Sequence, residues 1–212
     1  MTTRRIGLLG GSFNPAHGGH RRIALGAAAA LGLDEVWLLV SPGNPLKEDK
    51  SDMAPLAARL ASARRIARHA PIRARALETR YGTRFTIDTL REIVRRHPRH
   101  RFVWLMGSDN LASFDRWRKW REIAMTMPIA VIARPGYYRQ AHRGKAWAWL
   151  GRFVQPPAAA RNWTTWRPPA LVLLRFRPDP ASATALRRAH PGWHLSITPD
   201  GPCVDPTRRP LR

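Results

Sequence analysis

Arg5-Ile6-Gly7-Leu8-Leu9-Gly10-Gly11-Ser12-Phe13-Asn14-Pro15-Ala16-His17-Gly18-Gly19-His20 is the stretch that decides the fold. Its first half is a short apolar run without polar alternation, the pattern of a strand buried on both faces of a parallel sheet. Its second half is rich in glycine and opens into 18–31, where Ile23, Leu25, Ala28 and Leu31 give a helix its apolar faces. Strand, glycine turn and helix in that order mark the place where open α/β sheets bind ligands, beyond the carboxyl ends of the strands. Gly10 and Gly11 let the backbone come close to a ligand, and amides at the helix start near Gly18 and Gly19 favour phosphate oxygens. His17 and His20 are three apart, which on a first helical turn puts both imidazoles on one face. From there they can donate to a polyphosphate and stabilise charge building on it. A Walker A loop and a dinucleotide fingerprint are both excluded, since neither glycine pattern is present. The simpler reading is a glycine-rich connection with two surface histidines, and the preceding strand and the histidine spacing count against it.

Outward from this stretch, buried strands alternate with helical segments. Val36–Val40 reads as a strand, stopped by the turn residues Ser41-Pro42-Gly43-Asn44-Pro45. A helix is expected from Pro55 to Ala70 and a short strand over Ile72–Ala76. Thr86–Arg96 reads as a helix closed by His97-Pro98, followed by strands at Phe102–Met106, Ile129–Ile132 and Leu171–Leu174 and a last helix over Ser182–Ala189. This alternation predicts an α/β fold, a Rossmann-like doubly wound parallel sheet with right-handed crossovers. The expected domain is 1–190. Within it lies a Trp/Arg/Pro-rich excursion at 136–169, with one amphipathic helix expected over Ala141–Phe153, and an irregular tail follows over 191–212.

The chain has 212 residues, enough for one domain that buries its core without staples. Cys203 is the sole cysteine, so an internal disulfide framework and Cys/His zinc motifs are excluded. No apolar run reaches the roughly 20 residues of a membrane span, and Met1–Arg5 lacks a signal-peptide core, so the cytoplasm is the expected location. The formal charge is +23, and since four of the 37 basic residues are lysine, 33 are arginine. Such a chain attracts polyanions, and non-specific nucleic-acid binding is an expected side effect. The arginines run from Arg4 to Arg212 rather than forming one block, which suits a compositional preference at least as well as a dedicated nucleic-acid surface.

The glycine-histidine stretch resembles the signature of the nucleotidyltransferase superfamily with the His-x-Gly-His motif. It is most similar to that of the bacterial nicotinate-nucleotide adenylyltransferase family, with Asn14 where that family commonly has aspartate. Further matches follow in the family's order. Ser41-Pro42-Gly43-Asn44-Pro45-Leu46-Lys47 is similar to its Asn-Pro-x-Lys loop, and Arg84-Phe85-Thr86-Ile87-Asp88-Thr89-Leu90 to its Tyr-Thr-x-Asp-Thr-Leu segment. Gly107-Ser108-Asp109-Asn110-Leu111 with Trp117 and Trp120 resembles its Gly-x-Asp-x-Leu…Trp-x-x-Trp block, and Ser182-Ala183-Thr184-Ala185-Leu186-Arg187 its second phosphate motif. After about residue 188 the likeness stops: the tail lacks the family's usual closing helix.

The resemblance implies a nucleotidyltransferase-type sheet and adenylyl transfer from ATP to nicotinate mononucleotide, giving deamido-NAD and pyrophosphate. It makes His17, His20, Lys47 and Arg187 the catalytic set. ATP would be held by Gly10, Gly11, Ser12, Phe13, Asn14, Gly19, Gly107, Asp109, Ser182 and Thr184, and the acceptor by Asn44, Phe85, Thr86 and Trp117. Mg²⁺ would be bound mainly through substrate phosphates, with no dedicated protein ligands. The residues themselves also allow plainer roles: Lys47 as a solvated loop lysine, Asp109 as a cap at a helix start, Ser182 and Thr184 as caps of the last helix. Alternative acceptors are nicotinamide mononucleotide and pantetheine phosphate. A more distant alternative is an RNA-binding protein that stacks bases on the tryptophans between Trp147 and Trp166; a catalytically silent scaffold would need damaged motifs, whereas both histidines and Arg187 are intact.

Overall fold

Seven short strands, five of them mainly apolar, find their hydrogen bonds in one another. The computed structural model describes residues 2–43, 52–133, 142–176 and 182–197. In it β1 (Arg5–Gly11), β2 (Glu35–Val40), β3 (Ile72–Arg75), β4 (Arg101–Gly107), β5 (Ile129–Ile132), β6 (Val154–Gln155) and β7 (Leu171–Leu174) form one sheet in the order β3-β2-β1-β4-β5-β7-β6. Every pairing is parallel, with Leu8 opposite Trp37 on one side and Trp104 on the other. β2 is buried along its whole length, as a strand with helices on both sides must be.

One face carries Leu9, Leu38, Val103 and Leu105 against Ala24, Ala27 and Leu31 of α1 (Gly18–Leu31). The other carries Leu8, Trp37, Trp104 and Met106 against Ile87, Leu90 and Ile93 of α4 (Thr86–Arg96). The doubly wound expectation is therefore met. From β1 the chain winds outward to β2 and β3, then returns to lay β4 on the other side of β1. The crevice for a ligand falls at that reversal, above the carboxyl ends of β1 and β4.

Several boundaries differ from the expected ones. Helix α2 runs Leu56–Ala67 with Pro55 as its N-cap, rather than reaching Ala70. The five-residue α3 (Leu77–Tyr81) was not anticipated, nor was β6. The helix expected over Ala141–Phe153 is α7 (Lys145–Leu150), with Gly144 at its N-cap and Gly151 at its C-cap, continued by a 3₁₀ turn at Gly151–Phe153. Pro156 then caps a second 3₁₀ segment, Pro157–Thr165. The short helices α5 (Ser108–Leu111) and α6 (Trp120–Thr126) follow β4, and α8 (Ala183–Ala189) follows β7. Among the described residues no helix is long and apolar enough to cross a membrane.

The tryptophans of the excursion are packing residues. Trp163 is 1% exposed and donates its indole N–H to the Leu31 carbonyl at 3.0 Å. Trp149 meets Trp120 edge-on at 5.4 Å. Trp147 lies on His142 and Trp166 packs on the α1-side core. Trp163 is buried and the other three rings are half-buried against the core, so all four serve packing.

Candidate active site

At the carboxyl ends of β1 and β4 a cleft of about 480 Å³ opens. Gly10, Gly11, Ser12, Phe13, Asn14 and His20 line it from the β1 side, Gly107, Asp109 and Trp117 from the β4 side, and Phe85 and Thr86 from the start of α4. Eleven residues singled out from sequence motifs thus meet in one hollow. Asn44 and Lys47 lie outside the described residues.

The glycines work differently than expected. A Cβ on Gly10 would stand 2.6 Å from Cη2 of Trp104, and one on Gly11 3.2 Å from the Phe13 ring. Gly10 is therefore required by its neighbouring indole, which fills the space beneath the cleft floor, and not only by a ligand. Phe13 itself takes φ 48°, the left-handed region that costs a bulky residue energy, and its ring is 2% exposed with His20 at 5.0 Å. Burial of that ring under the histidine holds the turn.

The two histidines face together for a reason other than helical spacing. His17 does not belong to the first turn; it is the extended N-cap of α1. Its Nδ1 accepts from the Gly19 amide at 3.2 Å, and its own amide donates to Nδ1 of His20, also at 3.2 Å. This is a reciprocal capping box built from two imidazoles. The ring centroids stand 3.9 Å apart. With both Nδ1 atoms accepting, each neutral ring carries its proton on Nε2, so each has a donor directed away from the cap. His20 lines the cleft, and His17 and Gly19 beside it form the capping frame that sets its angle.

Asn14, the departure from the common aspartate, is 5% exposed and uses both ends of its amide. Nδ2 donates to the Asp52 carbonyl at 2.6 Å and Oδ1 accepts from the Ala54 amide at 3.2 Å. A carboxylate could make only the second bond, so here the amide is the better fit. Arg187 reaches back to the same loop, donating to the Asn14 carbonyl at 2.7 Å and to Oδ2 of Asp52 at 2.6 Å. Ser182 caps α8, its Oγ accepting from the Ala185 amide. Thr184 is exposed and does not cap; α8 touches the cleft through Ala183.

On the opposite wall, Phe85 is the N-cap of α4 and makes no side-chain cap, and Phe85 and Thr86 at that helix start line the cleft. The Arg118 and Arg84 guanidinium groups lie 4.5 and 5.8 Å from the Phe85 ring. Trp117 is held edge-on by Trp104 at 6.3 Å and by Phe114 at 5.4 Å, so its plane is fixed on two sides. Asp109 lies in the first turn of α5 (Ser108–Leu111) at the cleft edge; the N-cap of that helix is Gly107 and no side chain caps it, so Asp109 is not the cap that the plainer reading expected.

Two residues of the site were missed. Arg59 of α2 is 1% exposed and donates Nε to the Ala54 carbonyl at 2.8 Å, one terminal nitrogen to the carbonyls of Ser12 (2.8 Å) and Ser41 (2.6 Å), and the other to that of Pro42 (3.1 Å). One buried guanidinium thus ties the loops after β1 and β2 and the entry to α2 into one frame. Burial pulls it down from its ordinary value, and the negative field of Glu78 opposes that. Glu78 of α3 is the second, lining the cleft wall. Burial pushes its carboxyl up to about 7, against the pull of Arg59. A charge among the apolar positions of α2 was the available signal for Arg59, hidden among 33 arginines; for Glu78 the sequence held none.

The Glu78 shift has a consequence for stability. Between the ordinary 4.5 and about 7 the native state holds a proton that the unfolded chain has lost. The contribution is complete below 4.5 and is lost as pH rises through about 7. Glu78→Gln is expected to remove that downward slope, a difference on the order of 1–2 kcal/mol after allowing for solvent. Denaturant melts of both proteins from pH 4.5 to 8 measure it as a difference, which cancels the opposite slope expected from His97, whose value burial lowers.

Residues 8–189 match the family described as Cytidylyltransferase-like. A protein of Erythrobacter litoralis named "Probable nicotinate-nucleotide adenylyltransferase" is 60% identical over 191 residues, covering 90% of this chain and 87% of that one. One of the same name from Gluconobacter oxydans is 49% identical over 185 residues, covering 87% and 94%. Among solved structures, Plasmodium falciparum nicotinic acid mononucleotide adenylyltransferase complexed with NaAD shares the fold at a TM-score of 0.63 and 16% identity, over 87% of this chain and 83% of that one. The chain belongs to the cytidylyltransferase-like family and, within it, to the nicotinate-nucleotide adenylyltransferases.

Proposed function

We propose that the chain transfers the adenylyl group of ATP to nicotinate mononucleotide. A phosphate oxygen of the acceptor forms the bond to the α-phosphorus as the bond from that phosphorus to the bridging β-phosphate oxygen breaks, so deamido-NAD forms and pyrophosphate leaves. The attacking phosphate is already ionised, so no general base is needed. Alignment and neutralisation of charge supply the rate. The observation that carries this reading is that two features with different ligand preferences open on one cleft: the imidazole-capped start of α1, and the uncapped start of α4 beside Trp117.

In this reading His20 and His17 donate through Nε2 to the α-phosphate and the departing oxygens, with Lys47 and Arg187 adding charge. For that, Arg187 exchanges its Asp52 partner for a phosphate. Gly10, Gly11, Ser12, Phe13, Asn14, Gly19 and Gly107 shape the ATP side, Asp109 takes ribose hydroxyls, and Ser182, the cap of α8, and the exposed Thr184 beside it take phosphate oxygens. Trp117 stacks on the pyridine ring, while the amides near Thr86, with Phe85 and Asn44 beside them, receive its carboxylate. Among the described residues no three His, Cys, Asp or Glu side chains converge to hold a metal. In this reading Mg²⁺ would be carried mainly on the triphosphate, where it would lower the phosphate charge. The catalytic unit in this reading is 1–190, working on soluble nucleotides in the cytoplasm.

Incubation with ATP, Mg²⁺ and nicotinate mononucleotide should release pyrophosphate and yield a product with the mass of deamido-NAD; no release would overturn the reading. Trp117→Ala is expected to raise KM for the acceptor about tenfold, the scale of one lost aromatic stack, with KM for ATP unchanged in the same steady-state assay.

A further inference from the structure

Glu78 is an anomaly in its surroundings. The cleft is suited to anions: Arg84, Arg116 and Arg118 line it, together with His20 in the first turn of α1 and Thr86 at the start of α4. Asp109 has a role with hydroxyl groups. Glu78 has no such partner. Its carboxylate makes no hydrogen bond to any described residue, and Arg59, the cation whose field reaches it, spends its donors on four backbone carbonyls.

Its position is set by its own helix. Gly82, in the left-handed region at φ 66°, ends α3 and turns the chain back, and the amides of Gly82 and Thr83 both donate to the Glu78 carbonyl. That turn puts Glu78 on the wall it shares with Phe85, Thr86 and Thr89, the acceptor side of the cleft.

A carboxylate facing an anion site is unfavourable and tends to take up a proton, as the upward push on Glu78 shows, unless the ligand brings a positive charge there. ATP brings none. Nicotinate mononucleotide carries one, the quaternary nitrogen of its pyridinium ring, fixed at every pH. We infer that Glu78 is the counter-charge for that ring and makes the cleft select a cationic pyridinium over an uncharged ring of the same shape. Trp117 supports the same choice from the ring face, since an aromatic plane attracts a cation. The arginines and the α4 helix start are left to the phosphate and the ring carboxylate. This inference rests on the reading of the acceptor as nicotinate mononucleotide.

The test compares nicotinate mononucleotide with its 1,4-dihydro form, which keeps the carboxylate, ribose and phosphate and loses the ring charge. The wild-type enzyme should show a KM at least tenfold lower for the oxidised acceptor. Glu78→Gln should raise that KM about tenfold while leaving kcat, KM for ATP and KM for the dihydro acceptor within twofold. Glu78→Asp, which retains the charge, should keep most of the preference and serves if the glutamine variant folds poorly. Equal use of both ring forms by the wild type would overturn the inference while leaving adenylyl transfer intact. So would a Glu78→Gln defect shared by ATP and both acceptors, which would make Glu78 a partner of Arg59 only. No turnover with either ring form would overturn the acceptor reading itself, and this inference with it.

Discussion

His20→Ala is expected to lower kcat about 10³-fold while KM for ATP stays within about threefold. The magnitude is that of one preorganised donor aimed at charge developing in the transition state, roughly 3–4 kcal/mol. The split between kcat and KM follows because the triphosphate is also held by helix amides and by cations that do not depend on the imidazole. One complication is built into the fold: His20 also accepts the His17 amide at 3.2 Å, so alanine removes half of a capping box, worth about 1 kcal/mol. His20→Glu separates the two effects. Glutamate is the usual third residue of a capping box and keeps the helix start, but it presents a negative acceptor in place of the Nε2 donor. Its thermal midpoint should match the wild type while its turnover falls at least as far as that of His20→Ala. Steady-state kinetics alongside thermal melts check both; turnover within twofold of wild type in either variant would remove His20 from the chemistry.

Arg59→Ala should cost nearly as much activity without touching a substrate. The substitution strips donors from the carbonyls of Ser12, Ser41, Pro42 and Ala54, and it leaves Glu78 without its opposing charge. Single hydrogen bonds to a charged donor contribute about 1.5–3 kcal/mol and these are coupled, so a destabilisation of about 3–4 kcal/mol is expected. For a chain of this size that lowers the thermal midpoint by about 10 °C. Loss of loop geometry should lower kcat/KM at least about 100-fold for both substrates, the cost of a small misplacement at a reacting centre. Arg59→Lys keeps the charge but offers its donors from a single point, and cannot reach three loops at once. It should fall between wild type and alanine. A variant that melts normally and reacts normally would show that the loops hold themselves.

The parts of this site that were legible in the sequence are those whose chemistry is local. The apolar run ending at Gly10, the histidine spacing and the strand-helix alternation each depend on near neighbours, and the parallel sheet and its ligand end follow from them. What was illegible depends on distant partners. The indole that makes Gly10 necessary is Trp104, on the strand across from it. The use of Asn14 as an amide appears only once the Asp52–Ala54 backbone is beside it. Glu78 is an ordinary surface glutamate by sequence, and only the turn at Gly82 and the proximity of Arg59 give it a place in the cleft. The helix expected over Ala141–Phe153 is interrupted for a simpler reason: Gly144 breaks it before Lys145 and Gly151 ends its α-helical part, leaving a 3₁₀ turn to Phe153.

Acceptor choice is where the site has most at stake, because the start of α4, the arginines around Phe85 and Trp117 together favour a pyridine bearing a carboxylate. The most direct measurement is pyrophosphate release with ATP and Mg²⁺, offering nicotinate mononucleotide and nicotinamide mononucleotide in separate reactions and identifying each product by mass. Adenylyl transfer at an acid-selective pocket predicts kcat/KM at least about 100-fold higher for the acid, since a buried site built for a charged group leaves its donors poorly paired against an amide. Equal use of both acceptors, or release with neither, would contradict it.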